Sequence, residues 1–437
     1  MRTTSLRSKL FSLLVGARRS VGGSDFAAKS TRKLRMKSMF QERLLIVLLT
    51  LPSMLGLAGC NPLKEFSLGS GCLLGCQPPP PAPEFLFATS TNQILTFTIN
   101  QSSGALGTPL VATGPNASIG LAASQNVQLY VSDFLNDAVD GFSINSSSGA
   151  LTAISGSPFS LGGTPPGAGG LCGFGGDYLY ATDLNAGTVV GFLYDPDTGA
   201  LSVVPGSPFP AGNTPVQVAQ ASTQGGTLMF LYVSNLNDSE GGISAFAINQ
   251  QNGSLSPIPG SPFPTGASGS YPGPSAMVVS VNSNFLYVAL AGTANANNQI
   301  VAFSINPTTV SLTPLPQSPF TTGNDPLQMA YVPITAGSQG FLYTGNVQDG
   351  TISAFTADDN TGVLTQVLGS PYSAGTSVGG LAAILTSTES TFLYQSDPQA
   401  MNVRAYTING TTGELTLVSG SPFSAGSAPM LLTVAIP

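Results

Sequence analysis

The sequence predicts an all-β chain that folds as a seven-bladed β-propeller, with four antiparallel strands per blade and the first blade closed by the C-terminal strand. Two observations predict this fold. An apolar triplet recurs seven times at intervals of roughly 50 residues, and each copy is followed by a strand pattern and a turn. A strand pattern without a partner, residues 429–436, remains at the end of the chain.

The triplet has a central Leu and ends in an aromatic residue. The seven central residues are Leu86, Leu129, Leu179, Leu231, Leu286, Leu342 and Leu393. Segments that alternate apolar and small or polar residues follow most of them, at 94–99, 139–144, 243–248, 300–305 and 403–408. Alternation with a period of two, built from β-branched and aromatic residues, predicts strands.

Each unit continues with a turn that contains Gly and with a Ser-Pro-aromatic motif. The turn residues are Gly104, Gly149, Gly199, Gly253, Gly362 and Gly413, with Val310 in the fifth unit. The motif serines are Ser157, Ser207, Ser261, Ser318, Ser370 and Ser421. Because Pro cannot donate to a central ladder, the motif is predicted at an outer strand end. The first unit has Thr108 and Pro109 instead, and its outer strand is predicted to begin at Leu106.

The two ends of the repeat region predict how the ring closes. Phe85 opens directly with the second strand of a unit, so the first unit has no inner strand of its own. Residues 429–436 form a strand without a blade, and they are predicted to fill that place. The predicted propeller spans residues 85–437 and has seven complete blades.

The segment before the repeats has the layout of a signal peptide. Eleven of the 13 basic residues fall in the first 43 positions, and an apolar run over 44–57 follows. The run ends in Leu57, Ala58, Gly59 and Cys60, which resemble a bacterial lipobox. This resemblance implies cleavage before Cys60 and acylation of its thiol. An ordinary secreted leader and an uncleaved anchor remain alternatives for residues 1–59, and Met36 and Met39 are alternative start positions, because either would open a compact leader.

Residues 60–84 are predicted to be a Gly/Pro-rich spacer that holds the propeller off a membrane, in the cell envelope outside the cytoplasm. Cys72 and Cys76 lie in this spacer, either as a local disulfide or as thiols. Cys172 is predicted to be a packed core thiol. Without residues 1–59 the only basic residues are Lys64 and Arg404, and the net charge is about −16. Nucleic acid is therefore excluded as a partner, because phosphate binding needs a cationic patch.

The strand ends Tyr130 to Asp133, Tyr180 to Asp183 and Tyr232 to Asn235 resemble the YVTN-like repeats of the lactonase family. This family of seven-bladed propellers includes 6-phosphogluconolactonase and muconate-cycloisomerase-like proteins. The resemblance implies lactone hydrolysis by His, Arg and Glu side chains in the central cleft. This chain has no His, and Arg404, its only basic residue after Lys64, is predicted on an exposed strand face.

Five polar residues occupy equivalent positions where the second strand of a blade meets its turn. They are Asp133, Asp183, Asn235, Asn346 and Asp397. One interpretation is a set of Asx turns that satisfy local backbone N–H groups. The other is a ring of oxygen ligands at the channel mouth for Ca²⁺ or for sugar hydroxyls, to which loop acids could add. Those acids are Asp137, Asp140, Asp238, Glu240 and Asp349.

Two functions follow from these patterns. The first is a non-catalytic, lipid-anchored and monomeric propeller that binds a carbohydrate or protein partner without a cofactor, favoured because residues for acid–base chemistry are scarce. The second is a lactonase-like hydrolase that acts on a sugar or muconate-type lactone through loop carboxylates. Acids that converge on the channel favour the hydrolase, and acids that point away from it favour the binding module.

Overall fold

The structure, a computed structural model, describes residues 82–124, 127–173, 177–223, 226–237, 242–266, 273–291, 298–334 and 339–436. The leader and Cys60, Cys72 and Cys76 lie outside the described residues. Within those ranges, no helix is long and apolar enough to cross a membrane. Their only helical segment is the single 3-10 turn Phe134–Asn136.

The strands form seven antiparallel sheets, which are the blades. Blade 1 contains β1 (Glu84–Ser90), β2 (Gln93–Ile99), β3 (Leu110–Thr113) and the C-terminal β34 (Leu432–Ala435). Blade 2 contains β4 (Leu121–Ala123), β5 (Gln128–Asp133), β6 (Ala138–Ile144), β7 (Leu151–Ala153) and β8 (Phe159–Ser160). Blade 3 contains β9 (Ala168–Gly173), β10 (Tyr178–Asp183), β11 (Thr188–Tyr194), β12 (Leu201–Val203) and β13 (Phe209–Pro210).

The other four blades repeat this order. Blade 4 contains β14 (Pro215–Ser222), β15 (Met229–Asn235), β16 (Gly242–Ile248), β17 (Leu255–Pro257) and β18 (Phe263–Pro264). Blade 5 contains β19 (Gly273–Val279), β20 (Phe285–Ala291), β21 (Gln299–Ile305), β22 (Leu312–Pro314) and β23 (Phe320–Thr321). Blade 6 contains β24 (Pro326–Pro333), β25 (Gln339–Asn346), β26 (Thr351–Asp358), β27 (Leu364–Gln366) and β28 (Tyr372–Ser373). Blade 7 contains β29 (Leu381–Leu385), β30 (Thr391–Asp397), β31 (Asn402–Ile408), β32 (Leu415–Leu417) and β33 (Phe423–Ser424).

The seven-bladed ring and its closure are confirmed. The innermost strands β4, β9, β14, β19, β24, β29 and β34 each contact the next one, and β34 contacts β4 again. In blade 1, β34 pairs antiparallel with β1, from Phe85 opposite Ala435 to Ala88 opposite Leu432. The C-terminus thus supplies the inner strand that the first unit lacks.

The outer edge of blade 1 differs from the prediction. Leu106 makes only an isolated bridge to Ile99, and the outer strand β3 begins at Leu110. In blades 2 to 7 the fourth strand pairs with one end of the third strand, and a two-residue strand after the Ser-Pro motif pairs with its other end. Blade 1 lacks that motif, so its outer strand forms beside the start of β2 instead.

The Ser-Pro motif lies at the outer edge of six blades, as predicted. Its Ser hydroxyl accepts a hydrogen bond from a backbone N–H of the third strand, at the point where the fourth strand separates from it. Gly141 N–H donates to Ser157 Oγ at 2.9 Å, for example, and Ala302 N–H donates to Ser318 Oγ at 3.0 Å. The aromatic residue that follows packs against the blade core, as Phe159 and Phe263 do. The motif therefore replaces a ladder hydrogen bond at a bend in the edge.

A tyrosine hydroxyl joins each of six blades to the next one around the ring. The hydroxyl of Tyr232 in blade 4, for example, donates to the carbonyl of Val310 in blade 5 at 2.6 Å. The other pairs are Tyr130 with Gly199, Tyr180 with Gly253, Tyr287 with Gly362, Tyr343 with Gly413 and Tyr394 with Gly104. These tyrosines are the last residues of the sequence triplets, and their acceptors are the turn residues of the neighbouring unit.

The core lies between adjacent blades. Each apolar cluster joins side chains from neighbouring blades, such as Tyr180 and Val204 of blade 3 with Leu231 and Phe246 of blade 4. Cys172 belongs to this cluster and is 2% exposed, which confirms the prediction of a packed core thiol.

Candidate functional site

The central channel runs between the innermost strands of the seven blades. It contains a cavity of about 170 Å³, lined mostly by aliphatic side chains such as Leu171, Met277, Val279 and Ile384. The polar side chains in the lining are Gln217, Gln328, Tyr331 and Thr433. No carboxylate, amine or guanidinium lines this cavity in the described part of the chain. The channel is therefore suited to contact an uncharged surface and poor in groups for proton transfer.

Two of the polar lining side chains are already engaged. Gln217 Oε1 accepts the backbone N–H of Met277 at 2.5 Å, which joins the inner strands of blades 4 and 5. The Tyr331 hydroxyl donates to Asp359 Oδ1 at 2.5 Å, at the face of the ring that carries the third-to-fourth-strand turns. Burial raises the pKa of Asp359 and the Tyr331 hydrogen bond lowers it, with a net rise. Asp359 is thus one acid that meets a channel-lining side chain.

The five predicted site residues all lie at the ends of second strands and are nearly or fully buried. Three of them cap the turn that follows. Asp133 accepts from the Asn136 backbone at 3.2 Å, and Asp183 accepts from Ala186 at 3.0 Å. Asp397 accepts from Ala400 at 3.0 Å and from Thr376 at 2.7 Å. The contacts from Asn136, Ala186 and Ala400 are local backbone contacts of the kind that the Asx-turn interpretation predicted, whereas Thr376 lies in the loop that enters blade 7.

The two amides bind the neighbouring strand instead of a turn. Asn235 Nδ2 donates to Ser244 Oγ and Asn346 Nδ2 donates to Ser353 Oγ, each at 2.9 Å. None of the five residues lines the channel cavity. Their role as ligands for a cation or a sugar stays a prediction, and the contacts described here hold the blade ends together.

The predicted loop acids have different surroundings. Asp349 is paired with Asn324, whose backbone and side-chain nitrogens both donate to it at 2.7 Å. Burial and the nearby Asp133 raise the pKa of Asp140 to about 6. Asp137 meets Asp183 between blades 2 and 3. Asp238 and Glu240 lie outside the described residues. No group of three or more acidic, Cys or His side chains with metal-binding geometry occurs in the described ranges.

Arg404 does not lie on an exposed face, contrary to the prediction. It is half-buried in β31, and its Nε has no hydrogen-bond partner among the described residues. Burial alone would raise the pKa of Asp397, but hydrogen bonds from Thr376 and Ala400 and the Arg404 charge hold it below its ordinary value. Arg404 is not among the channel-lining residues, so it is not placed to clamp a phosphate there.

Sequence reasoning missed two features of the site. The apolar channel wall is contributed by fragments of seven separate strands, and no local pattern distinguishes their channel-facing residues from core residues. The pairing of Tyr331 with Asp359 joins the inner strand β24 to the turn between β26 and β27 of the same blade. The tyrosine hydrogen bonds between blades could have been predicted from the sequence, because the triplet Tyr and the turn Gly recur with the same period.

Residues 172–378 match the family model described as Lactonase, 7-bladed beta-propeller. This lactonase match falls on blades 3 to 6 and confirms the resemblance inferred from the strand endings. No curated protein sequence matches the chain.

Solved structures of proteins named as gluconolactonases resemble the chain over about four fifths of its length. A proposed 6-phosphogluconolactonase from Bacteroides uniformis superposes with a TM-score of 0.63 at 17% identity, covering 81% of this chain and 99% of that one. The periplasmic gluconolactonase of Pseudomonas aeruginosa gives a TM-score of 0.61 at 18% identity, covering 82% and 100%. At these identities the likeness establishes the fold, and activity has to be argued from the site.

Proposed function

We propose that this chain is a lipid-anchored propeller of the cell envelope that binds a carbohydrate or protein partner and does not hydrolyse lactones. The observation that carries the proposal is the channel wall. The lactonase resemblance implies chemistry by His, Arg and Glu in the cleft, whereas the residues that line this cavity are aliphatic or neutral polar. The sequence has no His, and its one basic residue within the ring, Arg404, lies beside Asp397.

The proposed localisation rests on the sequence of residues 1–60. Leu57, Ala58, Gly59 and Cys60 follow an apolar run that is too short to span a bilayer as a helix. The structural neighbour from Pseudomonas aeruginosa is named as periplasmic, which agrees with a localisation outside the cytoplasm. In bacterial cells the wild-type chain should incorporate labelled fatty acid and sediment with membranes. The Cys60→Ala chain should do neither, and lipid labelling of that variant would contradict the anchor.

The absence of hydrolysis is tested on the purified chain with gluconolactone, 6-phosphogluconolactone and muconolactone, each with and without Ca²⁺ or Mg²⁺. We expect ring opening at the rate of the buffer alone. Turnover well above that rate, lost in Asp359→Asn but kept in the exposed-site control Asp195→Asn, would overturn the proposal. We also expect no binding of 6-phosphogluconolactone that depends on Arg404, which an Arg404→Ala variant checks.

A second candidate function is the lactone hydrolase, and the contact between Tyr331 and Asp359 is the observation that favours it. Here Asp359 would act as the base for a water molecule at the channel end, with Tyr331 fixing its orientation. If the lactone panel gives turnover, Asp359→Asn should abolish it. Tyr331→Phe should reduce it, whereas Tyr343→Phe, which removes a hydroxyl between blades, should leave turnover per folded molecule unchanged.

A further inference from the structure

Two carboxylates meet where blade 2 passes into blade 3. Asp137 follows the 3-10 turn Phe134–Asn136 in the left-handed conformation, with a φ of 52°. Asp183 is the last residue of β10. The loop between the blades, residues 161–167, passes against both side chains. Three separate parts of the chain therefore converge on one point.

Two glycines of this loop leave room for the carboxylates. A Cβ on Gly163 would lie 2.8 Å from Asp137 Oδ2 and would collide with Asp183 Oδ2. A Cβ on Gly167 would lie 2.7 Å from Asp183 Oδ1 and would collide with Asp137 Oδ1. Because the two oxygens of each pair lie beside the same point, they are no more than about 5 Å apart. A Ca²⁺ ion, about 2.3–2.6 Å from each of its ligands, is compatible with that spacing.

Asp137 has no partner for its charge among the described residues. The side chain is only 1% exposed, and neither of its oxygens accepts a hydrogen bond from that part of the chain. Thr188 is paired with Asp183 across the β10–β11 ladder, and its buried Oγ1 also has no partner there. The hydrogen bonds of Asp183, from Asn185 and Ala186, both go to Oδ1. Buried acceptors without donors are costly unless something else satisfies them.

The electrostatics of the pair also call for a positive charge. Burial and the neighbouring Asp183 raise the pKa of Asp137, and the nearby N–H of Gly163 only partly opposes this, without reaching hydrogen-bond geometry. Arg404, the only basic residue after Lys64, lies in blade 7 beside Asp397. The described residues thus offer these two acids no cationic side chain.

We propose that Asp137 and Asp183 bind one divalent cation, with Ca²⁺ preferred, and that Thr188 supplies a further oxygen. Both Ca²⁺ and Mg²⁺ take oxygen ligands, but Ca²⁺ accepts irregular coordination, whereas Mg²⁺ demands a near-ideal octahedron and keeps several of its waters, so we expect Ca²⁺ to bind better in this buried place. The ion would join the end of blade 2 to blade 3 and would neutralise both carboxylates. This inference does not depend on whether the channel binds or hydrolyses a ligand.

The test uses the purified chain after treatment with a chelator and dialysis. Titration calorimetry with CaCl₂ should show one site per chain, with weaker binding of MgCl₂, and Ca²⁺ should raise the melting temperature. Asp137→Asn and Asp183→Asn should each weaken Ca²⁺ binding at least about tenfold. Asp195→Asn is the matched control, because it removes one exposed carboxylate from blade 3 and should bind like the wild type.

Two further results decide the proposal. Without metal, Asp137→Asn should be at least as stable as the wild type, because it removes a buried charge next to Asp183; the variant therefore tests binding in a folded chain. Equal Ca²⁺ affinity in Asp137→Asn and Asp195→Asn would overturn the proposal. So would a wild-type chain whose melting temperature responds to pH but not to Ca²⁺, since the two acids would then share a proton.

Discussion

Blade 1 and the other six blades reach the same four-stranded arrangement by different means. Blades 2 to 7 are each one continuous segment, edged by a Ser-Pro motif. Blade 1 combines the strands β1, β2 and β3 with β34 from the end of the chain, and it has neither the motif nor the short fifth strand. It also has Phe87 where the other blades have the tyrosine that bonds to the next blade. The repeated motifs therefore serve edges and borders, while ring closure depends on β34.

The largest effect should come from removing the closing strand. A chain that ends at Ala428 loses the β1–β34 ladder and the buried side chains of Leu432, Val434 and Ala435. Burial of a large aliphatic side chain is worth roughly 1.5–3 kcal/mol, and the edge of β1 would also be exposed. We expect an insoluble chain, or a melting temperature lower by more than about 10 °C in a thermal melt.

Point variants distinguish the loss of β34 packing from the effect of simply shortening the chain. Val434→Asp places a charge at a site that is 1% exposed and should be nearly as damaging as the truncation. Met430→Asp, at a site that is 48% exposed, should be close to neutral. An unchanged melting temperature in the truncated chain would mean that β34 does not close the ring.

The tyrosine bonds should give the next largest effect. In Tyr232→Phe the carbonyl of Val310 loses its buried donor, and we expect unfolding to become easier by about 1–2 kcal/mol in denaturant titration. Phe87→Tyr is the reciprocal change at the border of blades 1 and 2, where the ring of Phe85 already covers Gly149. It should stabilise the chain by about 0.5–1.5 kcal/mol if its hydroxyl reaches the Gly149 carbonyl. Equal losses from both variants would contradict the equivalence of the seven borders.

Much of this fold was predictable because its determinants repeat. Seven copies of one pattern fixed the strand order and the closure by residues 429–436, even though single strands are short. The outer strand of blade 1 was misplaced at Leu106, because the unit that departs from the repeat offers no second copy to compare. Site contacts are only partly periodic. The close approach of a loop glycine to the last residue of a second strand recurs at Gly212, Gly323 and Gly375, but the charged neighbours differ from blade to blade: Asp137 lies beside Asp183, whereas Arg404 lies beside Asp397.

The Ser-Pro motif should give a smaller effect. Ser318→Ala leaves the backbone N–H of Ala302 without its acceptor at 3.0 Å, and we expect a loss of about 1 kcal/mol. Ser304→Ala in the same blade is the control, because its hydroxyl makes only an exposed contact of 3.3 Å to Thr313. The control should change stability by less than about 0.5 kcal/mol. Similar losses of stability from both variants would mean that the Ser-Pro motif, which blade 1 lacks, makes no specific contribution to the outer edge of a blade.

The smallest effect concerns charge at one equivalent position of blades 2 and 7, the third residue of the third strand. In blade 7 this is Arg404, and it helps to keep Asp397 ionised. In blade 2 it is Asp140, whose pKa is raised from 3.8 to about 6 by burial and by Asp133. Between these two values the folded chain binds more protons at Asp140 than the unfolded chain does, so its contribution to stability falls as the pH rises.

Asp140→Asn should therefore raise the melting temperature near pH 7 and leave it almost unchanged near pH 4, where Asp140 is protonated in the folded chain. Solvent screens this half-exposed carboxyl, so we expect a gain of only about 1–2 °C at pH 7. Asp397→Asn should show the opposite sign, because its folded pKa is depressed: it should cost stability near pH 7 and less at low pH. Thermal melts of both variants from pH 4 to pH 8 measure the difference. If both lost stability equally at pH 7, the surroundings of the two positions would be electrostatically alike, and the contrast between Asp140 and Arg404 would have no effect on folding.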